Sequence, residues 1–183
     1  MATTATAAGS MAGNERVQEI YLGALRNTHA LLKQAEDMIE RQVERYEQYP
    51  ELTAALRQHR DEIPTQIAAF ERIMESHGTS ASTFKDLVTQ TVGNIGAAIH
   101  SLATDEVLKN IYTDHALERH EVAAFTSLIA IAEAAGDAKN VPTFEQFRQT
   151  HERAGQKVLD QVRPVTMRYI QIEAQGGAGA GKN

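Results

Sequence analysis

The sequence predicts an all-α fold: four long helices in a bundle, with one shorter crossover helix between the second and third. Three observations carry this expectation. Apolar residues recur at three- and four-residue spacing along four long segments. No run of alternating β-branched residues bounded by turns is present. Pro50, Gly78 and Gly136 fall where those segments should start or stop. At 183 residues the chain is long enough for one domain with a sizeable core.

The elements follow in order. Residues 1–14, rich in Ala and Thr, read as a disordered tail. The first helix is expected from about Glu15 to Glu47, and Pro50 suits the first turn of the second, where its missing N–H costs nothing. That helix should stop near His77, with Gly78 as its C-terminal cap. Pro64 inside it should produce a bend. Residues 82–102 are shorter, contain Gly93 and Gly96 and lack acids after Asp86, as suits a crossover. The next long helix starts near Thr104, with Asp105 and Glu106 at its positive end, and stops at Gly136. The last runs from about Pro142 to Glu173 with a kink or break at Pro164, so the bundle occupies residues 15–174. Four helices with one long crossover have the ferritin-like topology.

Composition excludes several functions. A net charge of −6 and a pI near 5.6 leave no basic face for nucleic acid. The absence of cysteine removes disulfides, thiolate metal sites and thiol catalysis, and fits a reducing compartment. No apolar run reaches the roughly 20 residues of a membrane span, and the N-terminus lacks the pattern of a signal peptide, so a cytoplasmic protein without membrane contact is expected. Residues 175–183, including the GGAGAGKN run, approach the phosphate-loop pattern. Asn183 stands where that pattern needs Ser or Thr, and the motif requires a strand before it and a helix after it. A flexible Gly/Ala tail without nucleotide binding is expected there.

The chemistry lies on faces that should be apolar. The four stripes read Leu25, His29, Leu32, Glu36, Ile39, Val43; then Leu52, Leu56, His59, Glu62, Ile63, Gln66, Phe70; then Ile111, His115, Glu118, Glu121, Phe125; then Phe144, Phe147, His151, Ala154, Val158. A buried charge is costly unless it is paired or ligates a metal, and carboxylates and imidazoles aimed inward from four helices are the plan of a dimetal bundle. Levels across the two hairpins agree. Glu36 and Glu62 are equidistant from Tyr49, and Glu121 and His151 from Gly136. The resulting candidate ligands are Glu36, His59, Glu62, Glu118, Glu121 and His151. Each imidazole also has a plain structural reading as a hydrogen-bonded core side chain, His29 above all, and His120 should be solvated.

At these residues the chain resembles the ferritin-like YciE and YciF stress-protein family, a domain of unknown function. The likeness runs from about Val17 to Tyr169 through NTHALLKQA (27–35), ELTAALRQHRDEIPTQI (51–67), HALERHEVAAFTSL (115–128), AEAAG (132–136) and PVTMRY (164–169). It implies a ferritin-like bundle, often a homodimer, with a dinuclear metal site in some members. It adds Glu152 to the candidate ligands, as an alternative to its neighbour His151. The chain departs from the family at Leu32, where a Glu is usual, and carries Arg60, Arg119 and Arg153 beside the key positions. Two readings follow. One is a dinuclear iron or manganese centre, the metals that carboxylates with a few imidazoles suit, weakened or lost in this chain. The other is a metal-free structural or interaction protein acting as a helical dimer, with arginines neutralising the carboxylates.

Overall fold

A computed structural model describes residues 3–80, 106–177 and 179. They form four helices, α1 (Thr3–Val43), α2 (Pro50–Ser76), α3 (Glu106–Ala134) and α4 (Val141–Ala174), and no strand. The predicted crossover helix, 82–102, lies outside the described residues. No helix among the described residues is long and apolar enough to cross a membrane.

The helices form a closed square. α1 packs on α2 and α3, and α4 packs on α3 and α2. Contacts at both ends set the directions. Arg45, just after α1, pairs with Glu106 at the start of α3 at 2.7 Å, and Tyr21, midway along α1, bonds Asp137 beyond the end of α3 at 2.5 Å. α1 and α3 are therefore antiparallel. α2 runs back along α1 after a short turn, so α2 and α3 are parallel. A single connection thus joins the end of α2 to the start of α3, which lie at opposite ends of a bundle about 40 Å long at 1.5 Å per helical residue. One long connection of this kind is the ferritin-like arrangement.

Local signals explain the boundaries. Gly78 and Gly136 have φ of +68° and +80°, which only glycine adopts without strain. At each, the following N–H returns to the carbonyl five residues back (Thr79 to Met74, 3.0 Å; Asp137 to Ala132, 2.9 Å) and closes the helix end. Pro50 takes the first turn of α2 as expected. The structure extends past several of the expected boundaries. α1 continues back to Thr3, through residues assigned to a tail. Gly179 is buried, accepting the Tyr49 hydroxyl at 2.5 Å and donating to Glu173 at 2.7 Å, so the start of the C-terminal tail is anchored. Pro164 does not break α4, and α2 likewise continues through Pro64. Both prolines lie on the exposed face, where water can hydrate the carbonyl each leaves without its helical donor.

Packing divides the interior into layers. Near the Asp137 end, Phe70, Phe125, Phe144 and Phe147 form one aromatic cluster, with centroids 5.6–6.4 Å apart. Burying each such ring contributes about 1.5–3 kcal/mol. Asp137 ties that end together, accepting from Tyr21, from Asn140 at 2.7 Å and from the His77 ring at 2.9 Å. On the other side of the aromatic layer the interior turns polar.

Candidate metal centre

α2, α3 and α4 each aim ionisable side chains at one point beyond the phenylalanines. α2 supplies His59, α3 supplies Glu118 and Glu121 one turn apart, and α4 supplies His151; all four are buried. Ligand atoms from these four residues lie within 4.8 Å of one another. Glu118 bridges the histidines, with Oε1 at 2.9 Å from His59 Nε2 and Oε2 at 2.9 Å from His151 Nδ1. Glu121 Oε2 is 3.0 Å from the same His151 Nδ1. Phe125 stacks on the His151 ring at 5.4 Å, closing the apolar side.

Gly155 makes the close approach of α4 to α3 possible. A Cβ there would meet Glu118 Cβ at 3.0 Å, tighter than ordinary packing allows. The Gly155 carbonyl accepts from His115 Nδ1 at 2.9 Å, which gives that histidine a structural place outside the centre.

The His151 Nδ1–Glu118 Oε2 contact is a hydrogen bond, and the other close contacts are poorly aligned. His59 has neither ring nitrogen in a hydrogen bond, and neither Glu121 oxygen has one, although His59 Nε2 at 2.9 Å from Glu118 and Glu121 Oε2 at 3.0 Å from His151 are close enough. At these two contacts the Coulomb attraction is present and the directional bond is absent. One ligand atom from each of the four residues thus lies close enough to the others to share a single ion. The outer faces of the rings fit the same pattern. His151 Nε2 meets Gln66 Oε1 at 3.1 Å. With that nitrogen donating, Nδ1 keeps its lone pair for the centre. His59 Nδ1 faces Glu62 Oε2 at 3.8 Å on the side away from Glu118. A metal-binding histidine ordinarily offers its second N–H to a carbonyl or carboxylate, which orients the ring and raises its basicity.

Electrostatics point the same way. Burial opposes the imidazolium of His59, but Glu118 and Glu62 outweigh it and push its pKa up to about 10. Burial likewise opposes charge on His151, and Glu121 with Glu118 raises it to about 9. Burial would raise the Glu118 carboxyl, but the two histidines hold it at about 2. Glu121 is raised, because burial outweighs the attraction of His151. The pocket thus wants positive charge, which protons on the histidines or a cation can provide.

The other expected ligands fall elsewhere. Glu62 stands behind His59 with its side chain 42 % exposed. Glu36 pairs with Lys33, and Glu152 with Arg148 at 3.2 Å, both away from the centre. His29 is buried against Glu71 at 3.4 Å, and His120 is exposed. The arginine expectation also changes: Arg60 is engaged with Asp61 and Glu40, and Arg153 with Thr150. Sequence reasoning passed over Asp114 and Gln42, which form a buried pair through Gln42 Nε2 and Asp114 Oδ1 at 2.8 Å. Burial pushes Asp114 up to about 7. The available signal was the four-residue spacing Asn110, Asp114, Glu118, one helix face that the apolar stripe drawn through Ile111 and His115 had displaced.

Comparison with known proteins agrees with this architecture. A protein of Xanthomonas campestris pv. campestris (XCC3681) superposes with a TM-score of 0.72 at 23% identity, covering 86% of this chain and 99% of that one. YcfI of Rhodopseudomonas palustris gives 0.62 at 18% identity, covering 78% and 92%. At these identities the likeness speaks for the fold. The family model described as "Domain of unknown function (DUF892)" matches residues 16–171, and the chain therefore belongs to the DUF892 family of YciE/YciF-like, ferritin-like proteins.

Proposed function

We propose that this protein is a ferritin-like metal-binding bundle protein whose centre holds one divalent first-row ion on His59, Glu118, Glu121 and His151. The observation that carries the reading is the convergence of these four buried donors while Gln66 and Glu62 face the outer nitrogens of the two rings. Two imidazoles with two carboxylates suit iron or manganese, and the absence of cysteine removes softer thiolate sites. A bound ion would supply Lewis acidity and, for iron or manganese, redox capacity. The dinuclear version needs further carboxylates. Glu62 is the nearest of those expected, and Glu36 and Glu152 are held by Lys33 and Arg148.

The test is elemental analysis after loading chelator-treated protein with Fe(II) or Mn(II) under argon. One ion per chain is expected, with uptake lost in Glu121→Gln and His151→Ala. Wild-type uptake no greater than that of the variants would refute the reading, and two ions per chain would restore the dinuclear one.

A metal-free bundle acting as a helical homodimer is the second reading. It draws on the exposed apolar side chains Tyr112, Leu159, Met167 and Ile170 of α3 and α4, and on a His/Glu cluster able to neutralise itself. Light scattering of the chelator-treated protein measures its mass directly, and a monomer would refute the dimer.

A further inference from the structure

A cleft between α2 and α4 leads from the surface to the centre. Its walls include Gln58, His59 and Glu62 of α2, Glu118 of α3, and Arg153 and Lys157 of α4. His59 and Glu118 belong to the donor cluster, so the cleft reaches the ligands themselves. The room inside is about 40 Å³. By this measure one water needs about 10–15 Å³, so the space suits a ligand of two or three heavy atoms.

Charge selects among such ligands. Lys157 Nζ lies at the wall on Gln58 Oε1 at 2.8 Å, and Arg153 on Thr150 Oγ1 at 3.0 Å. Apart from the ligand Glu118, one carboxylate stands against these two cations: Glu62, 3.5 Å from Gln58 Nε2 and facing His59. The rim is therefore net positive in a chain of net charge −6. His59 adds a second observation: the residue lines this cleft, and its buried Nδ1 makes no hydrogen bond, standing 3.8 Å from Glu62 Oε2. A divalent ion with two carboxylate ligands is locally neutral, and an added anion needs counter-charge from outside the ligand set. The rim supplies it.

We infer that the α2/α4 cleft admits a small anion of two or three heavy atoms as the exogenous ligand of the centre, with Lys157 and Arg153 as its counter-charge. The inference rests on the metal reading above. It makes Lys157 and Arg153 positioning residues that touch the incoming anion and leave the metal alone.

Azide is the probe and Co(II) the reporter, because cobalt absorption bands respond to each change of ligand. Co(II)-loaded wild type is expected to show a saturable spectral change on azide titration. The double variant Lys157→Met/Arg153→Met should bind Co(II) unchanged and azide at least about tenfold more weakly, a factor equal to ~1.4 kcal/mol. Lys157→Arg/Arg153→Lys should restore azide affinity. Both residues are exposed on α4, and circular dichroism checks that the variants fold. Failure to bind Co(II) overturns the metal reading and this one with it. Co(II) uptake with no azide response, equal azide affinity in the double methionine variant, or equal azide binding by chelator-treated protein in a calorimeter overturns the cleft assignment alone.

Discussion

Replacing Glu118 by Gln keeps the shape of the most connected side chain in the centre and removes its charge. In the wild type, Glu118 stands 2.9 Å from a nitrogen of each of two buried histidines. Removing one partner of a buried ion pair typically costs about 3–5 kcal/mol, because the other charge stays buried without compensation. A second route gives a similar size. A carboxyl held at about 2 in the folded chain against 4.5 contributes about 3 kcal/mol at neutral pH. The sign follows from the depressed value: the contribution is complete above 4.5 and is lost as pH falls toward 2. For a chain of this size, ~3 kcal/mol lowers Tm by roughly 10 °C. Urea and thermal unfolding of chelator-treated wild type and Glu118→Gln at pH 7 should show that loss, and the gap should narrow steadily below pH 4.5. A difference under about 1 kcal/mol at pH 7, or one that persists undiminished in acid, would refute the ion-pair account, since ordinary surface substitutions lie in that small range.

Two further outcomes are expected. Asp114 is raised from 3.8 to about 7, so folding retains a proton that the unfolded chain releases; the stability owed to this group should fall as pH rises between those values, and Asp114→Asn should flatten that part of the stability–pH curve in urea melts. Gly155→Ala places a methyl 3.0 Å from Glu118 Cβ, so overpacking of about 1–3 kcal/mol should exceed the ~1 kcal/mol gained from helix propensity, read as a lower Tm and weaker metal uptake.

The linear order of residues is sufficient for the bundle, because helical periodicity and capping are local properties. Tyr21, Leu25, Leu32 and Ile39 recur on one face of α1 and are buried. Gly78 and Gly136 end helices where a positive φ is needed. Those facts also bring Glu118, Glu121, His59 and His151 to similar levels, since short turns make hairpin levels countable. Rotation of each helix about its own axis is a different matter. A stripe that mixes His, Glu and Ile sets that rotation only within about one residue, or 100°. That margin separates Asp114, which is buried, from His115 beside it, and His151 in the centre from Glu152 on Arg148. Glu36 shows the same margin, turned away on Lys33 when its helix packs. Only the assembled bundle decides these choices, because side chains compete for one interior, and the close approach of α4 at Gly155 settles which carboxylate meets which imidazole.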